Sequence, residues 1–174
     1  YASKYRVVSG AGVGGRVYSS LARAGALTLG DIAVTRSVTY LSQQKQGAFA
    51  DVYLAGNVGY GVLKQFNITF DYPRQQLFFE KNADYGRPDI ADRSGMWLER
   101  TERGFEVVDV VAGSAADEAG LKAGDLIVAI DGKPFSAWLL PDARARLKEA
   151  EGTRVRVSIE RAKRQIELKL RDLV

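Results

Sequence analysis

Hydrophobic positions along this chain follow different periods in different regions, and each period predicts an element. Near the C-terminus Val155, Val157 and Ile159 alternate with Arg154, Arg156 and Ser158, and Ile166, Leu168 and Leu170 alternate with Glu167, Lys169 and Arg171. A period of two sends successive side chains to opposite faces, so this is an antiparallel hairpin with one solvated face, turning through Arg161-Ala162-Lys163-Arg164. Leu126-Ile127-Val128-Ala129-Ile130 is instead an unbroken apolar run between Gly124-Asp125 and Asp131-Gly132. That predicts a strand covered on both faces and left through a hairpin turn. Ala143, Leu147 and Ala150 recur at helical spacing, with Pro141 suited to a first helical position and Gly152 just beyond the end, so a helix is expected from about Pro141 to Glu151.

The first half of the chain has no such helix. Gly, aromatic and β-branched residues dominate Val7 to Glu80, Leu27-Thr28-Leu29 turns at Gly30-Asp31 into Ile32-Ala33-Val34, and Phe66, Ile68 and Phe70 alternate with polar residues. It reads as mainly β. Tyr72-Pro73-Arg74-Gln75 makes a turn before Leu77-Phe78-Phe79, and Lys81 to Arg93, rich in Asp, Gly and Pro, reads as a linker. The domain boundary is expected at Asn82 to Asp92, giving segments 1–82, 83–92 and 93–174.

Local chemistry sharpens the stretch from Val110 to Lys133. Ser114 can cap a short helix at Ala115 to Ala119, with Asp117 three positions on as a short-chain capping box and Gly120 as a left-handed exit.

Composition narrows the chemistry more than the fold. The 174 residues are 46% hydrophobic and 26% charged, which fits a globular protein with one sizeable core or two small ones, and two are expected here. No apolar run approaches the roughly 18 residues of a membrane helix, and Tyr1 to Arg6 resembles neither a signal peptide nor a start site, so the chain is expected to begin inside a longer protein. With no Cys and no His, the chain cannot build a Ser-His-Asp or Cys-His site, a disulfide framework or the usual zinc cages. No cofactor and no metal site is expected. The net charge of +4 comes from 25 basic and 21 acidic residues interleaved along the sequence. Aromatic residues do not interleave with the bases from Arg154 to Lys169, so that segment reads as a charged outer face and no nucleic-acid partner is expected.

The block Val110 to Lys133, with strand, one-turn helix, tight turn, buried strand and hairpin turn in succession, resembles the centre of a bacterial PDZ domain. The resemblance implies a peptide groove between the helix that begins near Pro141 and a strand that follows a Gly-containing carboxylate loop. The matching loop is Ser94-Gly95-Met96-Trp97-Leu98. It implies peptide-binding roles for Gly95, Met96, Trp97, Leu98, Ala143 and Leu147, with the backbone near Gly95 forming a nest for a terminal carboxylate and the peptide adding as a strand beside Met96 to Arg100. Trp97 stands where the family often has a second Gly. Two readings stay open: a groove that takes peptide ends or internal segments, or Met96, Trp97 and Leu98 simply beginning a strand and packing the core. The order of elements resembles the circularly permuted PDZ domains of bacterial proteases and secretion proteins, which implies a periplasmic or envelope setting.

Gly56 to Leu77, through Asn57-Val58-Gly59, Tyr60-Gly61-Val62-Leu63 and Phe66-Asn67-Ile68-Thr69-Phe70-Asp71-Tyr72, resembles the closing part of a retropepsin-like aspartic protease lobe. In that family an apolar-apolar-Gly strand, a short helix and a strand ending in Asp-Tyr pack beneath the catalytic loop; here Asn57 replaces one apolar residue. Gly10, Gly12, Gly14 and Gly15 would then lie in or near the flap over the substrate. A phosphate-binding loop is the other reading of those glycines, but no Lys-Ser or Lys-Thr follows them.

Aspartic proteases use a pair of Asp-Thr-Gly or Asp-Ser-Gly loops whose carboxylates share a proton, and this sequence contains neither tripeptide. No catalytic residue is assigned. The fold class expected is mainly β with short helices: a partial aspartic-protease-like lobe followed by a permuted PDZ domain. Two functions compete with a third, an unrelated β-rich binding protein such as a secretion-system component. One is the C-terminal part of an aspartic peptidase whose catalytic loop lies upstream; the other is a non-catalytic PDZ adaptor. The expected partners are peptide or protein substrate segments and the missing part of the lobe or a second chain. Strands near Val7 and from Arg16 to Leu29 would have bare edges, so a dimer is expected.

Overall fold

The computed structural model describes residues 5–12, 15–47, 50–162 and 164–174. In chain order it contains β1 (Arg6–Gly12), β2 (Gly15–Arg23), β3 (Ala26–Leu29), β4 (Ile32–Thr35), β5 (Val38–Ser42), α1 (Tyr60–Leu63), β6 (Phe66–Asp71) and β7 (Gln76–Lys81). There follow β8 (Met96–Arg100), β9 (Phe105–Val110), α2 (Ala115–Glu118), β10 (Leu126–Ile130), β11 (Lys133–Pro134), α3 (Leu140–Arg146), β12 (Arg154–Ile159) and β13 (Arg164–Lys169). The chain is mainly β with a few short helices. No helix among the described residues is long and apolar enough to cross a membrane. It forms two compact units, one made of the residues up to Leu21 together with Ala91–Val174, the other of Ala22–Ile90.

The first unit is built on an antiparallel sheet in the order β13-β12-β10-β9-β8, with β11 paired to β10. The C-terminal hairpin pairs Val155 with Leu168 and Val157 with Ile166, and these apolar residues are buried while Arg154 and Arg156 are exposed, as the period of two requires. Its core joins Phe105, Val107, Ile127, Ile130, Val155, Val157, Leu168 and Leu170 from the sheet to Ala143 and Leu147 from the α3 region. In β10 Ile127 and Ile130 are fully buried and no residue is exposed, which fits a strand paired on both sides. The turn after it places Asp131 at φ 48° and Gly132 at φ 78°, the left-handed pair that a tight two-residue hairpin uses.

Both helices illustrate how ends are set. At α2 the Ser114 hydroxyl accepts from the Asp117 amide, the Asp117 carboxylate accepts from the Gly113 amide, and Gly120 takes φ 79° at the exit. The expected Ser114 cap is present, but the capping box is not closed: Asp117 takes the Gly113 amide, and the Ser114 amide donates to the Val111 carbonyl instead. At α3 the helix starts as expected, with Pro141 in its first turn, but stops at Arg146 rather than near Glu151. The reason lies far away in sequence. The Arg93 amide donates to the Leu147 carbonyl, and its guanidinium donates to the carbonyls of Lys148 and Glu149, the acceptors that further helical turns would need.

The glycine-rich N-terminal segment is a hairpin: Gly10 pairs with Val17 and Gly12 with Gly15, with an irregularity between Val8 and Gly10. Gly14 lies outside the described residues. β1 runs beside β9, where Val108 is the extra residue of a bulge opposite Trp97 and Leu98. Arg16 donates to the Val108 carbonyl at 3.3 Å and so satisfies an acceptor that the bulge takes out of the ladder.

The second unit holds two separate hairpins, β3–β4 turning at Gly30-Asp31 and β6–β7 turning at 72–75. Its core is small: Val34, Val62 and Phe66 are buried, and Leu27, Leu29, Ile32, Ile68, Phe79 and Tyr85 pack around them. Residues 82–90, within the stretch that composition marks as a linker, are hydrogen-bonded into this unit. Tyr85 donates to Ala33, the Gly86 amide donates to Gln65, and the Asp89 carboxylate accepts from the Val38 amide.

Candidate peptide-binding site

The site begins at β8, the end strand of the five that form the main run of the sheet, with α3 beside it. Apolar alternation places Met96 and Leu98 inward, at 6% and 1% exposure, and helical spacing does the same for Ala143 and Leu147, at 0% and 1%. These four residues meet in one cluster. Their side chains fill the core between β8 and α3, so what β8 offers a ligand is its backbone and the half-buried Trp97.

The loop before β8 is closed by its own side chains. Asp92 Oδ1 accepts from the Ser94 amide at 2.9 Å, the Gly95 amide at 2.7 Å and the Ser94 hydroxyl at 2.6 Å. The Ser94 hydroxyl in turn accepts from the Met96 amide at 3.1 Å. An internal carboxylate thus occupies the donors that a nest at Gly95 would turn toward a peptide end. Enclosure in the loop pushes the Asp92 carboxyl above the usual carboxylate range, and this outweighs the opposing pull of its three hydrogen bonds and of Lys148.

Gly95 itself is fixed by packing. It sits at φ 78°, and its carbonyl accepts from the Val111 amide while the neighbouring Ser94 carbonyl accepts from Ala116 at the start of α2. Arg93 locks the other side of the loop, pairing with Asp172 at 3.1 and 3.2 Å.

Arg144, on α3, reaches back across the strip. Its Nη2 donates to the Leu98 carbonyl at 2.7 Å, and its guanidinium carbon stands 5.0 Å from the Trp97 ring centroid, within cation–π range. From the next part of β8, Arg100 donates to the Trp138 carbonyl. The sequence resemblance gives Met96, Leu98, Ala143 and Leu147 peptide-binding roles, whereas their side chains lie in the core, and it passes over Asp92 and Arg144. Asp92-Arg93-Ser94 carries a signal that could have found the first, since Asp readily accepts from amides two residues on. Nothing local marks Arg144, whose partner is 46 residues away in sequence.

Residues 106–161, which run from β9 through α2, β10 and α3 to β12, match the family model for the PDZ domain. The chain therefore contains a PDZ domain. It is 34% identical over 70 residues to the periplasmic pH-dependent serine endoprotease DegQ of Escherichia coli (strain K12), a match that covers 40% of this chain and 15% of that protein. The chain thus spans only a small part of the length of this curated relative. Among solved structures it is similar to an aminopeptidase N family protein from Idiomarina loihiensis, at 24% identity and TM-score 0.40, over 49% of this chain and 15% of the other. A serine endoprotease from Yersinia pestis aligns at 13% identity and TM-score 0.41, over 95% of this chain and 60% of the other.

Proposed function

We propose that this chain is the peptide-handling part of a bacterial envelope or periplasmic peptidase, and that its PDZ domain takes internal peptide segments as an added strand along β8. The observation that carries this reading is the position of β8: an end strand with α3 alongside, in a PDZ domain. An end strand presents unpaired backbone groups, and strand addition uses them regardless of the peptide's terminus. Closure of the loop amides by Asp92 and Ser94 favours internal segments over terminal carboxylates. Within this reading Gly95 shapes the loop, Met96, Leu98, Ala143 and Leu147 stiffen the walls, and Trp97 and Arg144 face the ligand. The loop at 92–95 precedes β9 and the hairpin β12–β13 closes the unit, which supports the permuted element order of bacterial protease PDZ domains.

The peptidase setting draws on the similarity to a protein named as a periplasmic serine endoprotease. The aspartic class draws on residues 56–77, where the short helix α1 leads into a strand ending at Asp71, the order that a retropepsin-like lobe has after its catalytic loop. Gly10, Gly12 and Gly15, the flap glycines of that resemblance, lie on the β1–β2 hairpin and group with residues 91–174, not with residues 22–90. Neither Asp-Thr-Gly nor Asp-Ser-Gly occurs in these 174 residues, so the aspartic reading requires the catalytic loop from a longer parent or a second chain. Exposed apolar residues in the second unit support such a neighbour: Tyr53 is 92% exposed, Tyr60 79% and Phe70 58%. The β6–β7 hairpin packs into the small core through Phe66, Ile68 and Phe79, which leaves Phe70 and Leu77 exposed near its turn.

The test compares one peptide sequence with a free and with an amidated C-terminus. Equal affinity supports internal-segment capture, and loss of binding on amidation overturns it. Peptidase activity that appears when the upstream gene segment is included supports the protease setting; its absence promotes a non-catalytic adaptor.

A further inference from the structure

Arg144 occupies a position that an added strand needs. The Leu98 carbonyl is an acceptor on the α3 side of β8, and strand addition would fill it with a peptide N–H; in the free protein it holds Arg144 instead. A peptide therefore has to displace this guanidinium, leaving a half-buried charge without its hydrogen bond.

The arginines around it set the contrast. In the same unit Arg93, Arg103, Arg146, Arg154, Arg161 and Arg171 each hold a carboxylate. Arg144 and Arg100 hold backbone carbonyls and stand over aromatic rings, as Arg16 holds the Val108 carbonyl, and neither of the two has an ion-pair partner among the described residues. Of the two, Arg144 is the one at the Leu98 carbonyl of β8. A carboxylate delivered there gains a bidentate partner in the guanidinium fork, while Trp97 keeps its face against the cation.

We propose that Arg144 is a latch across the β8 edge that opens preferentially to acidic peptide segments: a Glu or Asp in the incoming strand draws the guanidinium off the Leu98 carbonyl and exposes the acceptor the strand then uses. This rests on the strand-addition reading and names the ligand class for it. Arg144 is both the barrier to neutral segments and the selector of acidic ones, so the two effects disappear together when it is removed.

The test uses blocked nine-residue Thr/Val peptides with one Glu walked through the central positions, each against its Gln counterpart, measured by fluorescence anisotropy on the wild-type chain, Arg144→Gln and Arg144→Lys. At one register the wild type prefers the Glu peptide by about tenfold, a preference worth one charge-assisted hydrogen bond. Arg144→Gln binds the Gln peptide more tightly than the wild type does and loses the preference; Arg144→Lys, with charge but no planar fork, keeps part of it. Glu and Gln peptides that bind equally to all three proteins overturn the latch and leave strand addition standing. No binding of any peptide to any of the three overturns both.

Discussion

Gly95 and Ser114 approach so closely that a β-carbon on Gly95 would lie 2.2 Å from the Ser114 β-carbon and 2.3 Å from its hydroxyl oxygen. The loop that leads into β8 is thereby pressed against the cap of α2. With its positive φ as well, Gly95 meets two independent objections to any side chain.

Gly95→Ala is expected to cost about 1–3 kcal/mol through overpacking and strain, read as a lower urea midpoint. Adding Ser114→Gly should recover part of the loss, because it removes the clashing atoms. An unchanged midpoint in the single variant would refute the close approach.

Ser114→Ala removes the hydroxyl that accepts from Asp117 while leaving the β-carbon in place. The expected loss is about 0.5–2 kcal/mol, the usual worth of such a cap. Asp117→Ala should act in the same direction, since it frees the Gly113 amide.

The pH dependence of stability should carry two opposite contributions. Asp125 is held below the usual carboxylate range, first by its hydrogen bond to Arg161, with the Lys122 amide assisting. A lowered folded-state pKa gives stability that is present above the unfolded value and lost as pH falls through the folded one. Asp92 is raised, so its contribution is present below the unfolded value and lost as pH rises through the folded one. Urea midpoints between about pH 3 and pH 7 test this: Asp125→Asn should weaken the fall on the acid side, and Asp92→Asn should remove a fall toward neutral pH. Asn keeps an oxygen acceptor for the loop amides, so the second variant isolates the charge.

On the second unit Phe70 and Leu77 are direct cross-strand partners and both are exposed, at 58% and 53%. Phe70→Ser with Leu77→Ser should reduce self-association measured by sedimentation velocity, with little change in the melting of the PDZ domain. A wild-type chain that stays monomeric at high concentration would count against a partner on this hairpin.

What could be read from the sequence was what short-range chemistry decides. Ser114, Asp117 and Gly120 delimit α2, and Asp131-Gly132 turns β10 into β11, because those bonds and dihedrals close within a few residues. The alternation in β12 and β13 gave its buried face for the same reason. The end of α3 was not legible, since Arg93, distant in sequence, takes the Leu147, Lys148 and Glu149 carbonyls just beyond it. Nor was the state of the loop at Gly95: the sequence shows a glycine able to form a nest, whereas the fold turns Asp92 into it. Arg144 is one of many arginines until β8 and α3 are side by side.

The PDZ-containing unit is discontinuous along the chain: the strand pair before Leu21 and the segment after Ala91 complete each other, and a separate body is threaded between them. Arg16 therefore precedes its partner Val108 by 92 residues of chain. Completing this unit therefore closes the long loop formed by Ala22–Ile90, a chain-entropy cost that a unit made of one continuous segment would not carry.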